Sequence, residues 1–183
     1  VEIEYVCDVN GNDLTLSMDF HDSSLEKAVA LAEECDMTIL VCGDDKVTSG
    51  EGMDRCDLKL YGKQKELVER VGALGKPSVL VLENGKPVDL RDESMDAILV
   101  AWFGGELGAK AIAEALFGKI NPSGRLPISF PKSVGHIPCY YSRLPGGSRE
   151  YLEGNINALF PFGFGLSYTE FTYRDLVIEK REE

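Results

Sequence analysis

Between Gly43 and Arg55 the chain reads Gly-Asp-Asp-Lys-Val-Thr-Ser-Gly-Glu-Gly-Met-Asp-Arg. The residue in this stretch best placed for chemistry is Glu51. Glycines at 50 and 52 let the backbone turn tightly and keep bulk away from its carboxyl. A carboxyl presented in this way can serve as a general acid or base, which must reach a reacting oxygen and exchange a proton near neutral pH. The same residues also describe a solvated acidic loop, and both readings stand at this point. A phosphate site is disfavoured. Asp44, Asp45, Glu51 and Asp54 oppose an anion, and the chain has neither a Gly-x-Gly-x-x-Gly nor a Gly-Lys-Ser/Thr string.

The elements around this loop follow from apolar spacing. Met37 to Cys42 is a short continuous apolar run, as in a strand buried on both faces of a parallel sheet. The acidic segment 43–57 then leaves the carboxyl end of a strand, where open α/β sheets bind ligands. Its length also marks a functional loop. A helix after Ser23 or Ser24 carries Leu25, Ala28, Val29 and Ala32 on one face, and a helix over Lys63–Leu74 turns Leu67, Val68 and Val71 inward. Gly75 ends that helix and Pro77 opens a strand over Ser78–Leu82. Ala97–Ala101 is a third strand, and Glu106–Phe117 a third helix ended by Gly118. Strands alternating with helices predict an α/β fold: a mostly parallel wound sheet flanked by helices. Residues 1–20 alternate on either side of Asn10-Gly11-Asn12-Asp13 and read as an N-terminal β-hairpin. From Asn121 the chain is rich in Pro and Gly and reads as an extended C-terminal wrap. Phe171 to Lys180 alternates again, as a strand does. The expected division is a hairpin over 1–20, an α/β domain over 21–170 and a strand or linker over 171–183.

Composition narrows the function classes. With 19 Lys plus Arg against 31 Asp plus Glu, the net charge is −12, which disfavours nucleic acid and anionic membrane as partners. No apolar run approaches the roughly 20 residues of a membrane helix. Val1–Tyr5 lacks the pattern of a signal peptide and an initiator Met, so the start reads as a cut inside a longer polypeptide and the compartment is unread. Five cysteines without a Cys-x-x-Cys pair, and two histidines, disfavour zinc. Cys35 and Cys42 read as small buried hydrophobes.

Several strings in order resemble the α/β sandwich domain of family 3 glycoside hydrolases. Ser49-Gly50-Glu51-Gly52-Met53-Asp54-Arg55 is similar to that family's Ser-Gly-Glu-Gly-x-Asp-Arg loop. Leu60-x-Gly62-x-Gln64-x-Glu66-Leu67, Gly75-Lys76-Pro77 to Gly85-Lys86-Pro87, Ala101–Glu106, Leu116-Phe117-Gly118, Asn121–Pro131 and Phe160–Thr169 follow in the family's order. The resemblance covers roughly residues 25–173. It implies a retaining exo-β-glycosidase, acting on β-glucosides or β-xylosides. Glu51 would be its general acid/base, and the aspartate nucleophile would lie on an N-terminal (β/α)8-like barrel of the same polypeptide. It implies no cofactor and no metal, and a substrate that is a β-linked oligosaccharide or glycoside. The barrel is not in this chain, so the chain alone is expected to be inactive. The alternative is a non-catalytic carbohydrate-binding or interaction module of the same fold.

Residues 1–20 resemble the closing strands of a protective-antigen-type β module that some members carry inserted; a plain strand pair fits as well. Residues 171–183 would lead toward a fibronectin-like domain. Asp54 and Arg55 either contact substrate or shape the loop through a salt bridge. Trp102 either stacks on a sugar or packs in the core or a domain interface. Asp44 and Asp45 could line the cleft, but read rather as solvated charges. Tyr140, Tyr141, Arg149 and Tyr151 could border an outer sugar subsite.

Overall fold

The structure, a computed structural model, describes residues 22–179 apart from 46, 47, 92, 93, 145–149 and 153. The hairpin read over 1–20 lies outside the described residues.

Among the described residues the elements run α1 (Asp22–Glu34), β1 (Thr38–Gly43), α2 (Gln64–Gly72), β2 (Ser78–Glu83), β3 (Ala97–Val100) and α3 (Gly108–Leu116), with β2 and β3 following one another without a described helix between them, and a short 3-10 turn over Val134–His136. The strands form one parallel sheet in the order β1-β2-β3. The α/β class read from the alternation is the observed one. Helix α1 already includes the serines at 23 and 24.

Register explains the core. Leu40, Leu80 and Ile98 stand side by side across the sheet, as do Cys42, Leu82 and Val100. These rows share one face. Under it lie Leu25, Val29 and Ala32 of α1 and Leu67, Val68 and Val71 of α2, the stripes that helical spacing assigned to the interior. Phe130, fully buried, packs against the same face from the C-terminal segment.

The opposite face begins with Ile39 and Val41 of β1, and here the expectation of a strand buried on both sides fails. Ile39 is 43% exposed and Val41 61% exposed, while Val79 and Val81, beside them on β2, are buried. Both α1 and α2 pack beneath Leu40, so neither covers the far side of β1.

Helix α3 ends in a tight C-cap. Gly118 takes a left-handed φ of 70°, its N–H reaches Ala115 O at 3.0 Å, and the N–H of Lys119 reaches Glu114 O at 2.8 Å. Beyond it, two limbs run antiparallel. Leu126 donates to Phe164 O and receives from Gly163, while Phe130 donates to Phe160 O and receives from Leu159, all at 2.8 Å. Over its described part, residues 171–179, the alternation read for Phe171–Lys180 shows no regular structure. Phe171, Tyr173 and Ile178 are exposed and find no partner strand among the described residues, and a lone strand is not stable in water.

Candidate functional site

The Glu51 loop leaves the sheet at Gly43. There the chain crosses so close to β2 that an added Cβ would lie 2.1 Å from Glu83 O, and φ is 149°. Only glycine fits. The side-chain amide of Gln64, buried at the start of α2, pairs with both peptide groups of Gly43: the Gly43 N–H donates to Oε1 at 2.7 Å, and Nε2 donates to Gly43 O at 3.0 Å. The ladder runs one residue further, since Asp44 N–H donates to Glu83 O at 2.9 Å.

Asp44 is the hub of the loop's base. Its side chain is 4% exposed, accepts from Lys86 Nζ at 3.0 Å and Thr48 Oγ1 at 3.3 Å, and lies 3.9 Å from Arg55 Nη1. The reading of Asp44 as a solvated charge is therefore corrected. A buried carboxylate is costly unless paired, and here two cations converge on it. Asp45 is locally committed too: its Oδ1 accepts the Thr48 N–H at 2.9 Å, and its own N–H donates to Thr48 Oγ1 at 3.0 Å.

From this base the chain rises to a bare corner. Met53 N–H donates to Gly50 O at 3.1 Å and Gly52 has φ 76°. A glycine with positive φ at the third position is the signature of a type II turn. Glu51 is the second residue of that turn. It is exposed and bonded to none of the described residues, so both lone-pair faces of its carboxylate are available.

The outgoing limb returns through Arg55, 18% exposed in its side chain. Its Nη2 donates to Asp57 Oδ1 at 2.8 Å and Lys59 O at 2.9 Å, and its guanidinium lies 5.4 Å from the Tyr61 ring centre. Arg55 shapes the loop, but through Asp57 and Asp44; Asp54 is exposed and pairs with no described residue.

Trp102 follows β3 with φ 55°, a conformation unusual for a bulky residue and often found where function is held under strain. Its ring lies 6.0 Å from that of Phe130, part of the core. Beside it, Phe103 is exposed and reaches toward Gly85, which also abuts Ser49. The loops after all three strands thus meet at one edge of the sheet.

Tyr140 and Tyr141 are exposed, the latter stacked on Phe162 at 4.3 Å. Tyr151 donates to Gly135 O at 2.9 Å and packs edge-on against His136. Arg149 lies outside the described residues. The described residues contain no cluster of three metal-ligating side chains.

Two site residues, Gln64 and Lys86, stand in the family strings but were given no role by the sequence. Each acts across more than 20 residues of chain. The signal that could have found Lys86 is a cation just past the neighbouring strand of a strongly acidic chain.

Residues 5–168 match the family model described as the glycosyl hydrolase family 3 C-terminal domain. A β-xylosidase of Formosa agariphila is 41% identical over 181 residues, covering 94% of this chain and 24% of that protein. A periplasmic β-glucosidase of Salmonella typhimurium is 44% identical over 168 residues, covering 84% and 22%. Among solved structures, a β-glucosidase from Erythrobacter marinus superposes with a TM-score of 0.76 at 42% identity, covering 81% of this chain and 21% of that one. The chain thus spans about a quarter of the length of these curated relatives. Fold, motif order and sequence agree, and the chain belongs to glycosyl hydrolase family 3, as its C-terminal domain.

Proposed function

We propose that this domain supplies the general acid/base, Glu51, of a retaining exo-β-glycosidase whose aspartate nucleophile stands on an N-terminal (β/α)8-like barrel of the same polypeptide. One observation carries this reading. The carboxyl of Glu51 sits at the corner of a turn between two glycines, exposed and bonded to none of the described residues, on a loop whose base is tied down by ion pairs. A catalytic carboxyl must be free to meet substrate.

In the first step the Glu51 carboxyl gives its proton to the glycosidic oxygen as the aspartate attacks the anomeric carbon and the C–O bond to the leaving group breaks. In the second, the Glu51 carboxylate takes a proton from water, and the resulting hydroxyl displaces the aspartate. The two carboxyl groups must stand about 5 Å apart for this to retain configuration. β-Glucosides and β-xylosides are the proposed substrates, following the names of the relatives from Salmonella typhimurium and Formosa agariphila.

The test uses the full-length protein. Glu51→Gln should lose far more activity on glycosides with poor leaving groups than on activated aryl glycosides, which depart without a proton. Equal loss on both would reject the acid role. The isolated chain should hydrolyse nothing, and measurable turnover by it would contradict a nucleophile elsewhere.

A further inference from the structure

We propose that Lys86 is a positioning residue for Glu51: its ammonium ties the incoming limb of the loop to the carboxyl end of β2 and so sets where the corner carboxyl stands. This rests on the reading of Glu51 as the acid/base.

Glu51 makes no bond to a described residue that could place it, and it is flanked by glycines, which have no side chain to pack. Its position is inherited from the two limbs. Arg55 holds the outgoing limb. The incoming limb is held where Lys86 Nζ donates to Thr48 O at 3.0 Å, three residues before Glu51, and to Asp44 Oδ2 at 3.0 Å. Gly85 reinforces the contact: a Cβ there would lie 2.4 Å from Ser49 Oγ, so the turn after β2 is pressed against the loop. That turn is itself fixed from the core, because fully buried Asn84 donates from Nδ2 to the Lys86 carbonyl.

A continuous path therefore runs from the centre of the sheet, through Asn84 and Lys86, to Thr48 and the corner. A carboxyl displaced by about 1 Å can lose about a hundredfold in rate. The loss would fall on reactions that need its proton.

The experiment measures kcat/KM in the full-length enzyme for an alkyl glycoside and a dinitrophenyl glycoside, and reads the ratio of activated to unactivated. Lys86→Met should raise this ratio by about tenfold or more. Lys86→Arg, which keeps a cation with two donors in reach, should bring it most of the way back. Lys86→Met leaves the buried Asp44 carboxylate with Arg55 alone, at 3.9 Å, so Lys86→Met with Asp44→Asn is made as well. It removes that under-compensated charge yet leaves the Thr48 carbonyl without the Lys86 ammonium, and its ratio should stay raised. A wild-type ratio in the double variant, alongside a raised ratio in Glu51→Gln, would mean that Lys86 only stabilises the fold and would overturn the proposal. An unchanged ratio in Glu51→Gln itself would instead remove the acid/base reading, and this inference with it.

Discussion

Two long stretches lie outside the sheet and its helices, the loop over 44–55 and the segment over 121–168 with its one described 3-10 turn at Val134–His136, and their described residues are held by different means. The loop is held by charge. Lys86 and Arg55 converge on Asp44, and beyond that base Glu51 stands exposed with no bond to a described residue. The C-terminal segment is held by rings and by hydrogen bonds to uncharged acceptors, some of them from Arg125, Lys132 and Arg143. Its limbs pair backbone to backbone, Phe130 packs between Trp102 and Phe160, and His136 takes the Lys132 N–H at 3.3 Å on Nδ1 while Nε2 bonds Ile156 O at 2.8 Å. The difference teaches how irregular backbone can serve two ends. Apolar packing seals a core but crowds whatever lies in it. Ion pairs at a base hold a loop still while leaving its tip open.

Substitutions can break this contrast, and they are ordered here by size. Glu51→Gln should lower turnover of unactivated glycosides by about two to four orders of magnitude in the full-length enzyme. Its unfolding midpoint should match the wild type, since the tip supports nothing. Phe130→Ala should act the other way. It opens a cavity under the sheet and should cost about 3–5 kcal/mol in denaturant unfolding; a small loss would mean that the segment does not seal the core. His136→Leu leaves the Lys132 N–H and the Ile156 carbonyl without their partner, and about 1–3 kcal/mol should disappear from the same measurement.

The smallest effect belongs to Glu26 and Arg70, a bidentate pair at 2.5 and 2.9 Å between α1 and α2. It is charged like the loop's base but exposed. The hydrogen bond from Arg70 holds the Glu26 carboxyl below its ordinary value of 4.5. A lowered carboxyl value means the contribution is complete above that value and is lost as pH falls through the lowered one. The gap in unfolding midpoint between wild type and Glu26→Gln should therefore be slight at neutral pH, shrink with added salt, and close in acid. A gap that survived acid would assign the effect to packing.

The helices and strands were legible because apolar spacing is a local record of burial. Leu67, Val68 and Val71 had to share a face at 3.6 residues per turn, and they do. The continuous run at Ile39–Val41 was misleading for a related reason. Such a run shows that a segment is apolar, not which of its faces another element covers. At the loop, the exposed turn at Glu51 was legible from its flanking glycines. Its anchoring was not. Asp44 and Lys86 stand 42 residues apart, and no spacing rule links the ends of adjacent parallel strands. Arg55 was read with its neighbour Asp54, because adjacency is visible in a sequence and the reach to Asp57 and Asp44 is not.

The amide of Gln64 has a consequence for the sheet as an assembly. Alternate residues of β1 turn their peptide groups toward β2, as the bonds from Thr38 and Asp44 show. Those of Ile39, Val41 and Gly43 therefore turn outward. At Gly43 the Gln64 side chain occupies both outward groups, imitating one residue of a neighbouring strand. It acts as a stop. A strand laid along the outer edge of β1 can pair at Ile39 and Val41 and must end there, one step before the acidic loop begins. The register of any such addition is thus limited by a residue on a helix, and the loop's root is shielded from being drawn into the sheet.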